Sequence, residues 1–181
     1  KLLKQLEIKA NRYEVLNEHS AKEDVQNLAE LCKTLNVVLV SDCGTPSFCD
    51  PGFQLVKLCR QNKIKVQSSL GASSLMGLIS LSSQQIHQFY FRGFIPAESG
   101  AREREWQVLK KTKEPFVLMD TPYRLKKMMD ECCQHLSQRQ MLLTLNLSQE
   151  SETILEGTPE QVRAQIKLEK AEFMILIYAQ N

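Results

Sequence analysis

The run Ser41-Asp42-Cys43-Gly44-Thr45-Pro46 places a carboxylate, hydroxyls, a thiol and a glycine side by side, and a second acidic turn, Asp50-Pro51-Gly52, follows closely. Polar side chains around a glycine suit the holding of a small polar ligand, because backbone can approach closely where there is no Cβ. The preceding Val37-Val38-Leu39-Val40 reads as a strand buried on both faces. Asp50-Pro51 reads as a helix start, with Asp as the N-cap and Pro in the first position. Open α/β sheets bind ligands in just such a loop, outside the carboxyl end of a strand. A plain strand-to-helix connection needs only about two to six residues. This one is longer and polar, as functional loops are.

Three more loops share that character: 68–74, 120–124 and 156–159. The elements around them set their places. In the first half, strands are expected at 13–16, 37–40 and 64–67. A capping box of Ser20 and Glu23 opens a helix with the stripe Val25, Leu28, Leu31 and Cys32. A second helix carries Leu55, Val56, Leu58 and Cys59, and a third runs from Leu75 to about Leu81. Strand and helix in alternation predict a parallel sheet with right-handed crossovers. The polar stretch 82–88 marks a boundary, giving domains 1–86 and 87–181. In the second half, strands are expected at 89–95, 116–119, 141–145, 152–156 and 173–179, with 141–145 antiparallel to 173–179. Helices fall at 101–111, from Pro122 through Leu125, Met128, Met129 and Cys132, and from Pro159. The fold class is α/β in two small domains, the first mainly parallel, the second mixed. Loops from both would line a cleft between them.

Composition narrows the function. Net charge is +2 over 181 residues, too small to argue a nucleic-acid partner by itself. The longest apolar run, 173–179, is far short of a membrane span. The six cysteines form no C-x-x-C pair, which predicts neither a metal site nor a disulfide framework but reduced thiols in the cytoplasm. Dinucleotide-binding, P-loop and serine-hydrolase motifs are missing from the sequence. His19, His87 and His135 are scattered. Lys1 falls inside what reads as the tail of a helix, so the natural start of the protein is expected to lie upstream, with cofactor binding weakened in its absence.

Ser41-Asp42-Cys43-Gly44-Thr45-Pro46 with Asp50-Pro51-Gly52 resembles the S-D-A-G-T-P…D-P-G signature of the tetrapyrrole methylase superfamily, in particular its RNA-methylating branch. The likeness continues in register. Glu18-His19 is similar to an H-E-H-N segment, Arg92-Gly93-Phe94-Ile95-Pro96 to E-G-F-L-P, and Gly100-Ala101-Arg102-Glu103-Arg104 to a following G-x-R-x-x. Asp120-Thr121-Pro122-Tyr123-Arg124 is similar to E-S-P-H-R, and Glu156-Gly157-Thr158 to a late R-G-T. There are departures. Ser69-Leu70-Gly71-Ala72-Ser73-Ser74 replaces L-P-G-P-S-A, and Leu145-Asn146-Leu147-Ser148-Gln149 replaces a charged R-E-L-T-K. The family's opening strand and its T-P-I-G-N-L loop have no counterpart in the chain.

The resemblance implies S-adenosylmethionine as cofactor. Contacts are expected from Ser41, Asp42, Cys43, Gly44, Thr45 and Pro46, from Gly71, Ala72 and Ser73, from Leu118 and Met119, and from Gly157 and Thr158. Asp42, a catalytic candidate with Glu18 and His19, either faces the cofactor or caps its own loop as an Asx-turn. Glu18 and His19 are base candidates, or else a solvated turn. The implied reaction is methylation of a ribose 2'-hydroxyl of small-subunit ribosomal RNA. The alternatives are methylation of a corrin or other tetrapyrrole carbon, and a cofactor-binding homologue without catalysis. Arg92, Arg102, Arg104 and Arg124 are the expected RNA contacts. A homodimer is implied; a metal, DNA and a membrane are not.

Overall fold

Helical stripes rather than paired strands build the first half of the chain. The computed structural model describes residues 7–9, 11–41 and 45–180, which divide into two units, 1–69 and 70–181. In the first unit, α1 (Lys22–Leu31) and α2 (Phe53–Gln61) bury Val25, Ala29, Leu55 and Cys59 against one another, with Leu16, Leu28, Cys32, Leu58 and Ile64 at the margin. Both helices start later than their sequence signals suggest. Ser20 turns back to accept from Asn17 N at 2.9 Å, so Ala21 is the N-cap and its N–H donates to Asp24 at 3.1 Å. The N-cap of α2 is Gly52 rather than Asp50. Its φ of +140° and the Ser47 Oγ lying 2.8 Å from where a Cβ would sit make glycine necessary there.

The expected parallel sheet of this unit is not formed among the described residues. Segments 13–16, 37–40 and 64–67 join no ladder, and the β pairing present is one bridge between Thr45 and Phe48. Val38 is 81% exposed and Val40 62%, and Leu39 on the other face is only half-buried, so the run read as a strand buried on both faces is open to solvent on one and partly covered on the other. Branched side chains favour extended backbone, but a strand becomes part of a sheet only when cross-strand neighbours cover it.

In the second unit that cover exists. The strands β1 (Tyr90–Gly93), β2 (Phe116–Asp120), β3 (Met141–Leu145), β4 (Thr153–Gly157) and β5 (Phe173–Ile177) form one mixed sheet in the order β1-β2-β5-β3-β4. β1 and β2 are parallel and the remaining pairs antiparallel, including the expected pairing of β3 with β5. Alternate residues serve two cores. Phe116, Leu118, Met141, Leu143, Phe173, Ile175 and Ile177 face α4 (Ser99–Leu109), α5 (Leu125–Leu136) and α6 (Pro159–Gln165). Val117, Leu142, Met174, Leu176 and Tyr178 face α3 (Ser74–Ser80), whose Leu78 is fully buried. A sheet covered on both sides explains why the strand segments are continuously apolar instead of alternating. Helix α3 packs on this sheet, within the unit that runs from residue 70.

Leu176→Ala, at 0% exposure, is expected to lower stability by about 2–5 kcal/mol, whereas Val38→Ala, at 81% exposure, should change it by less than about 0.5 kcal/mol. Urea unfolding of the two variants checks this; equal losses would restore a buried strand at 37–40.

Candidate functional site

The loop that carries the family-like signature is seen in part. Asp42, Cys43 and Gly44 lie outside the described residues. Ser41 and Pro46 are half-buried and Thr45 is exposed, in a tight reversal where Phe48 N donates to Thr45 O at 3.0 Å and Ser47 N to Pro51 O at 3.2 Å. Ser47 and Cys49 have φ of 71° and 57°, a conformation that costs a non-glycine residue about 1–3 kcal/mol. The second half of this loop and the 16–20 turn line a cavity of about 440 Å³ that takes in Glu18, Ser47, Asp50 and Gly52. Glu18 thus reaches the loop, while His19 is exposed and does not line the cavity; its N–H donates to Asn17 Oδ1 at 2.9 Å in a solvated turn.

In the second unit, Gly71, Ala72 and Ser73 are exposed, and Ser73 caps α3 by accepting from Met76 N at 3.5 Å. A Cβ on Gly71 would meet nothing within 4 Å, so the segment has room beside it. Leu118 is fully buried among the α4–α6 side chains and can offer a ligand only its backbone. Met119, half-buried, lies on the other face in the cluster that also holds Leu75, so β2 and the start of α3 share one side of the sheet. Gly157 and Thr158 do not join them. Gly157 is level with Met141, Ile177 and Phe116, which puts it about 10 Å along the sheet and about 14 Å across it from Met119. Thr158 Oγ1 is committed to capping α6, accepting from Gln161 N at 3.4 Å while Thr158 N donates to Gln161 Oε1 at 2.9 Å.

The four arginines diverge. Arg102 is 3% exposed. Its Nε and Nη2 donate to both carboxylate oxygens of Glu131 at 2.6–3.0 Å, and its Nη1 donates to Ile95 O at 3.3 Å and Pro96 O at 3.1 Å. Asp120 Oδ2, buried and without a hydrogen bond, lies 3.6 Å from the same Nη1. Bonding to Glu131, with Asp120 beside it, holds the Arg102 guanidinium above its ordinary pKa despite burial. Every nitrogen of this guanidinium has a partner inside the unit. Arg92 pairs with Glu105 and donates to Phe94 O at 2.6 Å. Arg104 is exposed. Arg124 lies 3.6 Å from Asp120 Oδ1 with its side chain 38% exposed.

The ion cluster itself is the feature that sequence pattern did not single out. Its signal was present. Arg102, Trp106 and Leu109 fall at helical spacing on one stripe, so the arginine belongs to the buried face of α4. A second polar cluster braces the 82–83 turn: Tyr178 OH donates to Glu156 Oε1 at 2.5 Å, and Ser83 Oγ bonds the same oxygen. Burial, then the Glu156 carboxylate, pushes the Tyr178 hydroxyl above its usual pKa. Among the described residues no group of His, Cys, Asp and Glu is placed to hold a metal ion, and no helix is long and apolar enough to cross a membrane.

A mixed sheet sheathed by helices, with polar loops leaving its strand ends, defines an α/β fold. The chain belongs to the tetrapyrrole (corrin/porphyrin) methylase family, whose sequence model matches residues 1–163. It is 27% identical over 168 residues to ribosomal RNA small subunit methyltransferase I of Neisseria meningitidis serogroup B, covering 90% of this chain and 58% of that protein. With the enzyme of the same name from Vibrio cholerae it shares 32% over 161 residues, covering 88% and 55%. The chain therefore spans a little over half the length of these relatives. Among solved structures, diphthine synthase superposes with a TM-score of 0.62 at 15% identity, over 88% of this chain and 66% of that one. Uroporphyrin-III C-methyltransferase of Thermus thermophilus, crystallised with S-adenyl homocysteine, gives 0.54 at 16% identity, over 86% and 72%. These two likenesses establish the fold.

Arg102→Met would leave the buried Asp120 carboxylate and the half-buried Glu131 carboxylate without their cation, an expected loss of about 3–5 kcal/mol. Arg92→Met, at a more open pair, should cost less than about 1 kcal/mol. Denaturant titration separates the two, and equal small losses would mean that Arg102 is solvated.

Proposed function

We propose that this chain is the core of an S-adenosylmethionine-dependent methyltransferase that methylates a ribose 2'-hydroxyl of small-subunit ribosomal RNA. The observation that carries the reading is the 27–32% identity, over about nine-tenths of the chain, to relatives of that name. When bound, the cofactor supplies an activated methyl on a sulfonium, and transfer to an oxygen is an in-line displacement. The protein's task is then to hold donor and acceptor in attack geometry and to assist the loss of the hydroxyl proton.

The described residues fit the cofactor at one place in the second unit. Met119 is a half-buried apolar side chain near the carboxyl end of a parallel strand pair, and the open 71–73 segment leads into the helix on the same face. Gly157 and Thr158, at the other end of the sheet, do not fit the same position, and we assign them to capping α6. In the first unit, taken by itself, Ser41, Thr45 and Pro46, with Asp42, Cys43 and Gly44, are the cofactor contacts that the family resemblance proposes. Glu18, on the wall of the first unit's cavity, is a better base candidate than His19. For RNA, the exposed Arg104 and the half-open Arg124 stay in the reading, and Arg92 and Arg102, consumed by internal partners, leave it. A homodimer acting in the cytoplasm completes it.

Small ribosomal subunits from a strain lacking the enzyme, incubated with the whole protein and methyl-labelled S-adenosylmethionine, should gain label in the RNA, in a product that resists alkaline cleavage at the methylated ribose. Label found only in a tetrapyrrole acceptor, or nowhere, would defeat the proposal.

A further inference from the structure

Tyr123 is 79% exposed, on the 3₁₀ turn Pro122–Arg124 that leaves the carboxyl end of β2. The turn does not need this ring for packing, because the next apolar residue, Leu125, is 1% exposed and carries the contact with the core. The ring is held all the same. Lys170 Nζ stands 5.4 Å from its centroid, a cation–π contact that occupies one face and leaves the other to solvent. Beside it, Arg124 is anchored by Asp120, whose side chain is 1% exposed, so one side of the guanidinium is fixed while the rest reaches solvent. Lys126, Lys127 and Lys167 are exposed on the neighbouring segments, against Glu169, Glu172 and an Asp130 already paired with Arg163 at 3.0 Å.

We propose that Tyr123, backed by Lys170 and flanked by Arg124, is a stacking platform for one unpaired base of an RNA strand. The inference rests on the RNA reading above and deepens it by naming the contact. An aromatic face open to solvent with cations on its rim suits a nucleotide, whose base lies on the ring while its phosphates meet the arginine and lysines. A protein partner would instead call for a contiguous apolar patch around the aromatic anchor, and most exposed side chains on these segments are charged, with Leu168 the apolar exception. The location also suits the reaction. Tyr123 follows Met119 by four residues in sequence, so a base stacked there lies on the same strand end as the proposed methyl donor.

The test is fluorescence anisotropy of the whole protein with a short unstructured RNA, with an abasic RNA of equal length, and with inorganic polyphosphate. For the wild type, the base-containing RNA should bind more tightly than the abasic strand. Tyr123→Ala should weaken it on the order of tenfold, leave polyphosphate binding and the salt dependence unchanged, and abolish the preference over the abasic strand. Tyr123→Phe, which keeps the ring, should bind like the wild type. Wild-type RNA binding that Tyr123→Ala does not alter would overturn the platform and leave the RNA reading standing. Equal binding of the base-containing and abasic strands by the wild type would also overturn it. Failure of the wild type to bind either RNA would overturn both.

Discussion

Arg102 brings a full positive charge into the interior of the sheet unit, and the edge of that unit that concerns function depends on it. One guanidinium fastens three elements: Glu131 on α5, the Asp120 carboxylate at the end of β2, and the carbonyls of Ile95 and Pro96 in the connection from β1 to α4. A buried charge is tolerated only when it is paired and its hydrogens are used. The planar fork of arginine can serve a bidentate carboxylate and two carbonyls at once, which the point charge of lysine cannot. Asp120 in turn anchors Arg124 and, through Oδ1, accepts from Thr121 N at 2.8 Å. The turn that presents Tyr123 is therefore set from inside the protein.

The sheet supplies the rigidity against which that edge is held. β5 lies between β2 and β3 and is buried on both faces, with α3 on one side and α4, α5 and α6 on the other. Arg139 closes the far end: it is 7% exposed, lies 5.1 Å over the Phe116 ring, and donates to the carbonyls of Thr112, Glu114 and Tyr178. Two ends of one sheet are thus pinned by two buried arginines, one of them at the candidate site.

Legibility in the sequence followed from where side chains find partners. The second half was readable because strands such as 141–145 and 173–177 are covered on both faces and helices such as Leu125–Leu136 carry an apolar stripe, so local pattern and tertiary environment agree. The first half was not. The Val37-Val38-Leu39-Val40 run has the composition of a core strand without neighbours that cover it, and composition alone does not reveal a partner. The two helix starts fall one and two residues after their sequence signals, because Asp24 and Gly52 supply what the sequence pattern assigns to Glu23 and Asp50. Arg102 looked like a surface cation because helix charges are usually solvated; only its stripe with Trp106 and Leu109 said otherwise. The family signature was readable by order and spacing, but which of its residues approach one another depends on strand register, as the separation of Met119 from Gly157 illustrates.

The proposed position of the methyl donor is the Met119 end of β2. The six methionines at 76, 119, 128, 129, 141 and 174 report on it separately when their methyl groups carry carbon-13. Titrating the whole protein with S-adenosylhomocysteine should shift the Met119 methyl resonance saturably and leave Met128 and Met129, buried on the opposite face, in place. Binding that moves neither Met119 nor any resonance on its face of the sheet would contradict the account.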